Sequence, residues 1–391
     1  LGLLALASVA HAPGAMAQPY PSRPVRLIIA DAAGGAPDQL GRMLALAGYP
    51  LGFQFCFLDP TEDSPAGDLA EQIVAPWDDS AALARLAECD VITFEFENIP
   101  VKVVETLAAK TQVCPGAKAL AVACDRLNEK TTFEELGIPT AKFAAVSDEP
   151  SLRRALDEIG LPAVLKTRRF GYDGKGQRVI RSADDVNDAW RGLGGQELLL
   201  EAFVPFSREL SLIAVRGRSG EIRFYPLVEN EHREGILRLS RAPARDLDPA
   251  LQHRAEDFAR RLLERLDYVG VLALELFDVD GTLHANEIAP RVHNSGHWTI
   301  EGAQTSQFEN HLRAVCDFPL GDTSARGPTA MINCIGRMPP AASVMAIGGA
   351  HFHDYGKLAR AGRKVGHLTV CADSPADLEA KIAAVRALLE A

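Results

Sequence analysis

No two cysteines in this chain are spaced as C-x-x-C. The seven thiols, Cys56, Cys89, Cys114, Cys124, Cys316, Cys334 and Cys371, are odd in number and scattered. That excludes a disulfide framework or a zinc site of ordinary spacing and fits reduced, mostly buried thiols of a cytoplasmic protein. Basic charge is also short: 41 Lys and Arg against 52 Asp and Glu leave a net charge of -11. A general nucleic-acid surface is excluded, though a local basic pocket for phosphate is not. The G-x-x-x-x-G-K-[ST] run is missing. Gly34-Gly35-Ala36-Pro37 also departs from G-x-G-x-x-G, and Pro37 removes a backbone donor that a phosphate-cradling loop would use. No apolar run is long enough to span a bilayer, and there are no internal repeats or low-complexity tracts.

The first residues conflict with that compartment. Residues 1–10 form an apolar run of signal-peptide length, and Ala15-Met16-Ala17 before Gln18 has the small-residue pattern of a cleavage site, but the basic n-region is missing. The stretch QPYPSRPVRLIIADAAGGAPD is similar to the mature start of periplasmic solute-binding receptors of the tricarboxylate-transporter type, over roughly the first 38 residues only. Residues 1–24 are therefore expected to be a disordered or foreign leader.

A length of 391 residues suggests two or three domains. A strand at 25–30, a helix at about 39–47 and a buried strand at 53–58 make a β-α-β start and a parallel sheet. Residues 90–96 (DVITFEF) read as another strand. Its tip carries Glu97 and Asn98 where open α/β sheets bind ligands, and the competing role for that tip is a cap for the helix that follows. A helix from Asp125 stops at Gly137 and Pro139. Next comes a hairpin, PAVLK and QRVIR, whose loop contains Gly171, Gly174 and Gly176. These glycines let the backbone approach a ligand, though taken alone they also fit a surface loop. Strands follow at 197–204 and around Glu209. Residues 225–235, with His232, read as a polar connection, and 248–267 as an amphipathic helix.

The stretch VGVLALELFDVDGTLHANEIAPRVHNSGHW, residues 269–298, holds the densest signal. Two apolar runs joined at Asp280-Gly281 read as a hairpin with Glu275 on one arm and Glu287 on the other. A two-residue loop would set Glu275 opposite Asn286, whereas a three-residue loop or a bulge sets it opposite Glu287. The second register is expected, because paired carboxylates suit a nucleotide-bound Mg²⁺. Arg291, His293, Asn294, Ser295 and His297 then crowd polar groups behind a buried strand, which core packing does not explain. Further on, His351 and His353 read as ordinary histidines, and Lys357, Arg360, Arg363 and Lys364 form a local basic cluster able to bind phosphate.

The stretches QLGRMLALA, FLDP, VITFEFENIP, DRLNEK, FGYDGKGQ, YPLVENEHREGILR, NEIAPRVHNSGHWTIEGAQTSQFENHLRA and YGKLARAGRKVGHL occur in this order from Gln39 onward. Together they resemble the N5-carboxyaminoimidazole ribonucleotide synthase family, ATP-grasp enzymes of purine biosynthesis. The resemblance implies a mixed α/β and α+β fold: a preATP-grasp parallel-sheet domain (25–124), a small lid domain (125–204) and an ATP-grasp domain with a C-terminal β subdomain (205–391). It further implies ATP, Mg²⁺ and bicarbonate acting on 5-aminoimidazole ribonucleotide in a cytoplasmic homodimer, without nucleic acid or membrane.

Carried over by position, ATP would be held by Arg126, Lys166, Gly171, Tyr172, Asp173, Gly174, Lys175, Gly176, Gln177, Glu201, Ala202, Phe203, Val204, Glu209, His232, Asn286 and Glu287. Glu275 and Glu287 would hold Mg²⁺. Arg291 and His293 would position bicarbonate and the amine, while Glu97, Asn98, Lys357 and Arg363 would hold the ribonucleotide. The departure is Ala36-Pro37-Asp38, where the family has a run of glycines, so a chimeric front is expected. An ATP-grasp ligase for another amine fits most of these residues too, and a periplasmic solute-binding protein fits the first 38 alone.

Overall fold

The computed structural model describes residues 36–62, 66–171 and 174–390. The leader and the strand expected at 25–30 lie outside them. Helix α1 (Ala36–Gly48) places Leu40, Leu44 and Ala45 in the core. Strands β1 (Cys56–Asp59) and β2 (Glu71–Val74) pair in parallel, as do β3 (Val91–Ile92) and β4 (Gln112–Val113). Helices α2 (Ser80–Leu86), α3 (Val101–Ala108) and α4 (Ala117–Ala123) complete this part, with Leu83, Leu86, Val104 and Leu107 packed on Leu58 and Ile92. Strands β1 and β3 are shorter than the sequence suggests. Beyond Ile92 the chain buries Thr93 and Glu95, and Thr93 Oγ1 meets His311 Nε2 at 2.8 Å instead of continuing a ladder.

Helix α5 (Arg126–Glu135) starts at Asp125, whose carboxylate accepts the Leu127 amide, and the chain leaves it through Gly137 at φ +65°. A four-stranded antiparallel sheet follows, ordered β5 (Phe143–Val146), β8 (Leu198–Ala202), β6 (Ala163–Thr167), β7 (Gln177–Ile180). Helices α6 (Glu149–Ile159) and α7 (Asp185–Leu193) pack Leu152, Ala155, Val186 and Ala189 against it.

The remaining strands are β9 (Arg208–Arg216), β10 (Ile222–Phe224), β11 (Val228–Arg233), β12 (Ile236–Ala242), β13 (Gly270–Val279), β14 (Thr282–Ala289), β15 (Thr329–Ile335), β16 (Ala350–Asp354) and β17 (Lys364–Cys371). They form one nine-stranded antiparallel sheet ordered β14-β13-β9-β11-β12-β15-β17-β16, with β10 on β9. Five helices belong with it: α8 (Pro249–Arg265), α9 (Thr299–Gly302), α10 (Gln307–Val315), α11 (Ala341–Met345) and α12 (Pro375–Glu390).

Alternation on β13 explains its continuous apolar run. Val271 and Ala273 join the core built with α1 and α10, whereas Leu272, Leu274 and Leu276 join the core built with α8. Burying each such leucine contributes about 2 kcal/mol. The segment read as a polar connection at 225–235 is in fact mostly the strand β11. Beyond Val228, which joins the apolar core, its side chains are satisfied by ion pairs and hydrogen bonds, so no hydrophobic period marks it: Glu229 binds Arg245, Glu231 binds Arg241 and Arg386, and His232 binds Glu209. No helix among the described residues is long and apolar enough to cross a membrane.

Candidate functional site

The β13–β14 hairpin turns at Asp280-Gly281, where both residues have positive φ, and pairs Val279 with Thr282. Regular pairing would then oppose Glu275 to Asn286. The register shifts after Leu276–Ala285, and Glu275 lies opposite Glu287, as expected. Asn286 is the extra residue, and it allows Ala285 and Ile288 to face the same core while Glu287 faces the other way. Three groups brace this bulge. Lys130 Nζ donates to the Asn286 carbonyl at 2.8 Å, Thr140 Oγ1 to the Ala285 carbonyl at 2.7 Å, and the Ile288 amide donates to Glu129 Oε1 at 2.6 Å.

The two carboxylates share one face of the hairpin, Glu275 with 19% and Glu287 with 37% of its side chain exposed. Burial, then the neighbouring Glu287 charge, pushes Glu275 up to about 7. Burial acts the same way on Glu287, but Arg126, whose Nη1 donates to Oε2 at 2.7 Å, outweighs it and holds that carboxylate below its usual range. A like-charged pair, with the buried Asn286 Oδ1 beside it lacking any hydrogen-bond partner, is a donor set that fits a hard cation.

Behind the pair, Glu201 is buried between two ammonium groups, Lys166 Nζ at 3.0 Å and Lys130 Nζ at 3.4 Å. Burial opposes its charge, yet Lys130 and Lys166 outweigh burial and bring it down to about 2. Glu201 Oε2 thus serves both lysines while its buried Oε1 lacks a hydrogen-bond partner, and the Ala202 and Phe203 amides are taken by the carbonyls of Lys142 and Pro162. Glu209 Oε2 lies 2.6 Å from His232 Nδ1; burial disfavours the imidazolium, but that carboxylate raises its pKa.

The glycine loop closes on the same region. A Cβ on Gly176 would lie 2.6 Å from Thr167 Oγ1, and one on Gly174 would lie 3.0 Å from Gly235 Cα in the β11–β12 turn. The loop base is tied to α5 by Arg168, whose Nε and Nη2 donate to Asp125 at 2.9 and 2.7 Å. Tyr172 and Asp173 lie outside the described residues. Lys175 is exposed, and Gln177 opens β7 opposite Lys166.

Arg291 and His293 follow β14. Arg291 makes a two-point contact with Glu97, Nε donating to Oε2 and Nη2 to Oε1, the latter at 3.0 Å. Burial opposes its charge, and Glu97 more than restores it. Glu97 therefore holds a side chain of the large sheet. Asn98 beside it is half-buried and does not cap α3, whose N-cap is Pro100. His293 Nε2 lies 3.2 Å from Glu275 Oε1. Burial, then the Arg291 charge, holds His293 well below its ordinary pKa. After burial, the charge of Lys364 at the start of β17 is among the causes that lower the pKa of His293 and His297. Lys357 lies over the Tyr355 ring at 5.4 Å, and Gln39 on α1 donates to the Tyr355 carbonyl. Arg363 stands just before β17, and its carbonyl accepts the Gly336 amide at 2.8 Å. His353 is an ordinary partner of Glu301, at 2.8 Å, and stacks on His367. Sequence reasoning passed over Glu129 and Lys130. The available signal was α5 itself, a helix with charged residues on its buried face and little apolar stripe.

The chain matches three families in register with this layout: the ribonucleotide synthetase preATP-grasp domain at residues 33–124, the ATP-grasp domain at 131–308, and the phosphoribosylaminoimidazole carboxylase C-terminal domain at 329–381. It is 57% identical over 355 residues to the N5-carboxyaminoimidazole ribonucleotide synthase of Pseudomonas aeruginosa, covering 90% of this chain and 98% of that one. The crystal structure of N5-carboxyaminoimidazole ribonucleotide synthetase from Thermus thermophilus superposes with a TM-score of 0.87 at 54% identity, covering 93% of this chain and 98% of that one. That of the Aspergillus clavatus synthase, in complex with ADP and 5-aminoimidazole ribonucleotide, gives 0.85 at 31% identity, covering 94% and 99%. With more than half of its residues identical to such a synthase over nine-tenths of its length, and with the matching domain order, the chain belongs to the N5-carboxyaminoimidazole ribonucleotide synthase family of ATP-grasp ligases.

Proposed function

We propose that this chain carboxylates 5-aminoimidazole ribonucleotide with bicarbonate at the expense of ATP, giving N5-carboxyaminoimidazole ribonucleotide, ADP and phosphate. The observation that carries this reading is the 3.2 Å approach of His293 Nε2 to Glu275 Oε1, which joins the nucleotide-side carboxylates to the RVH segment. A bicarbonate oxygen attacks the γ-phosphorus of ATP and ADP leaves, giving carboxyphosphate. The exocyclic amine then takes the carboxyl group and phosphate departs. Mg²⁺ held by Glu275 and Glu287, with Asn286 Oδ1 alongside, would neutralise charge on the transferring phosphoryl group. Arg126 and Lys166 would exchange their carboxylate partners for phosphate oxygens, adding positive charge at the transition state. Lid closure by the glycine loop over the Glu234–Gly235 turn excludes water from the labile mixed anhydride.

Arg291, oriented by Glu97, would bind the carboxyl oxygens, and Lys357 and Arg363 the ribonucleotide phosphate. The seven free thiols support a reducing, cytoplasmic setting. A homodimer, implied by the resemblance, is the assembly to check by light scattering. The functional test is phosphate release. It should require both bicarbonate and 5-aminoimidazole ribonucleotide; ATP turnover indifferent to both would sink the proposal.

A further inference from the structure

His293 is the end of a buried hydrogen-bond chain that crosses four segments. The Ser295 backbone amide lies 3.3 Å from His293 Nδ1, and Ser295 Oγ lies 2.9 Å from the same nitrogen. An amide N–H can only donate, so Nδ1 offers its lone pair and the neutral ring carries its proton on Nε2. Ser295 Oγ in turn accepts the Ser211 hydroxyl at 2.8 Å. Ser211 Oγ accepts the Asn230 side-chain amide at 3.0 Å, and Asn230 Oδ1 accepts the Ser240 hydroxyl at 2.8 Å. Each hydroxyl has one proton to give. Ser211 gives its proton to Ser295, so the Ser295 proton is left for His293.

None of these four residues is more than 7% exposed, and their strands place them in register: Asn230 opposes Ser240 across β11 and β12, while Ser211 opposes Glu275 across β9 and β13. A buried polar row in which every bond runs one way is an orienting device, since a reversed ring would leave the Ser295 amide facing another N–H.

Resting on the carboxylation reading, we propose that Ser295, Ser211, Asn230 and Ser240 lock His293 in its Nε2–H tautomer, so that the donor now facing Glu275 Oε1 at 3.2 Å is passed to the carboxyl group under transfer when substrate binds. In that step the amine nitrogen bonds to the carboxyl carbon as the carbon–oxygen bond to phosphate breaks. The departing phosphate keeps the electron pair and takes the amine proton. Donation from Nε2–H steadies the carboxyl oxygen throughout, and the ring takes up no proton. The four residues are positioning residues, because they act only through His293.

The test uses ¹⁵N-histidine-labelled wild-type protein, with His293 assigned from the His293→Asn spectrum. The expected spectrum has a protonated Nε2 and an unprotonated Nδ1, and Ser295→Ala, which keeps the backbone amide donor and loses only the hydroxyl one, shows a larger Nδ1–H share than wild type. In parallel, Ser295→Ala and Ser211→Ala should lower kcat for bicarbonate-dependent phosphate release about tenfold while the KM for ATP stays within twofold. His293→Gln, which can offer an N–H near Nε2, should retain more activity than His293→Asn. An Nδ1–H signal in active wild-type enzyme overturns the lock and leaves the carboxylation reading standing. Wild-type enzyme without bicarbonate-dependent turnover overturns the functional half, whatever the spectrum shows.

Discussion

Arg291 and Glu97 are 194 residues apart in sequence and meet through two hydrogen bonds at the floor of the site. The contact ties the turn after β3 to the segment after β14, adding a charged link to the apolar core that the parallel-sheet part and the large antiparallel sheet already share. The sequence reading assigned Glu97 to the ribonucleotide; the structure adds that its carboxylate pairs with Arg291. Glu97→Gln keeps the shape and removes the charge. Losing a charge-assisted pair of this kind costs about 2 kcal/mol, or roughly thirtyfold. The loss should fall on kcat/KM for the ribonucleotide, with ATP affinity by calorimetry unchanged within about twofold. Equal loss in both would show that Glu97 supports the whole cleft instead.

The carboxylate pair makes opposite predictions for its two members. Glu275 is disfavoured by burial and by Glu287, so Glu275→Gln relieves repulsion and should leave the ligand-free melting temperature equal or higher. Glu287 is the partner of Arg126, and Glu287→Gln leaves that guanidinium without its 2.7 Å contact, which should lower the melting temperature by about a degree or two. Both variants should need at least tenfold more Mg²⁺ for half-maximal turnover. Differential scanning fluorimetry and a Mg²⁺ titration read the two effects separately.

Much of this hairpin was legible from sequence, because alternating apolar residues, an Asp-Gly turn and two carboxylates constrain the register. The bulge at Asn286 follows from needing both glutamates on one face. Its braces, Glu129 and Lys130, left only a faint sign, the weak apolar stripe of α5, since charged side chains on a buried helix face look solvent-exposed until the β14 carbonyls and amides they satisfy are known. Strand β11 was missed for the same reason. VENEHR has the composition of a loop, and only Arg245, Ser240, Arg241 and Glu209 in space show why such residues can be buried.

His311 sets an acid limit on stability. Its Nδ1 accepts the Val271 amide at 3.1 Å, its Nε2 meets Thr93 at 2.8 Å, and burial lowers its pKa to about 4. The folded state therefore binds this proton less readily than the unfolded chain, whose histidine titrates near 6.5. Stability is intact above about pH 6.5 and falls as the pH drops toward about 4, by up to roughly 3 kcal/mol from this group. His311→Asn keeps an acceptor for Val271 and cannot charge. Denaturant unfolding at pH 7 and 4.5 should show a smaller loss for the variant than for wild type; identical losses would remove His311 from the account.

The lid offers a steric test. Gly176 has φ +73°, and an added Cβ would lie 2.6 Å from Thr167 Oγ1. Gly195 has φ +85° with nothing within 4 Å of an added Cβ. Gly176→Ala combines about 1–2 kcal/mol of backbone strain with a clash at the glycine loop proposed to close on ATP, and should raise the KM for ATP about tenfold. Gly195→Ala carries the strain alone and should leave that KM unchanged, so steady-state kinetics of the pair separates lid geometry from general destabilisation.

The central claim is that carboxyphosphate forms in this cleft, and isotope transfer tests it most directly. With bicarbonate labelled in all three oxygens by ¹⁸O, and with ATP and 5-aminoimidazole ribonucleotide present, mass spectrometry of the released phosphate should find one ¹⁸O per phosphate. Phosphate free of bicarbonate oxygen, formed as fast as ADP, would contradict the account.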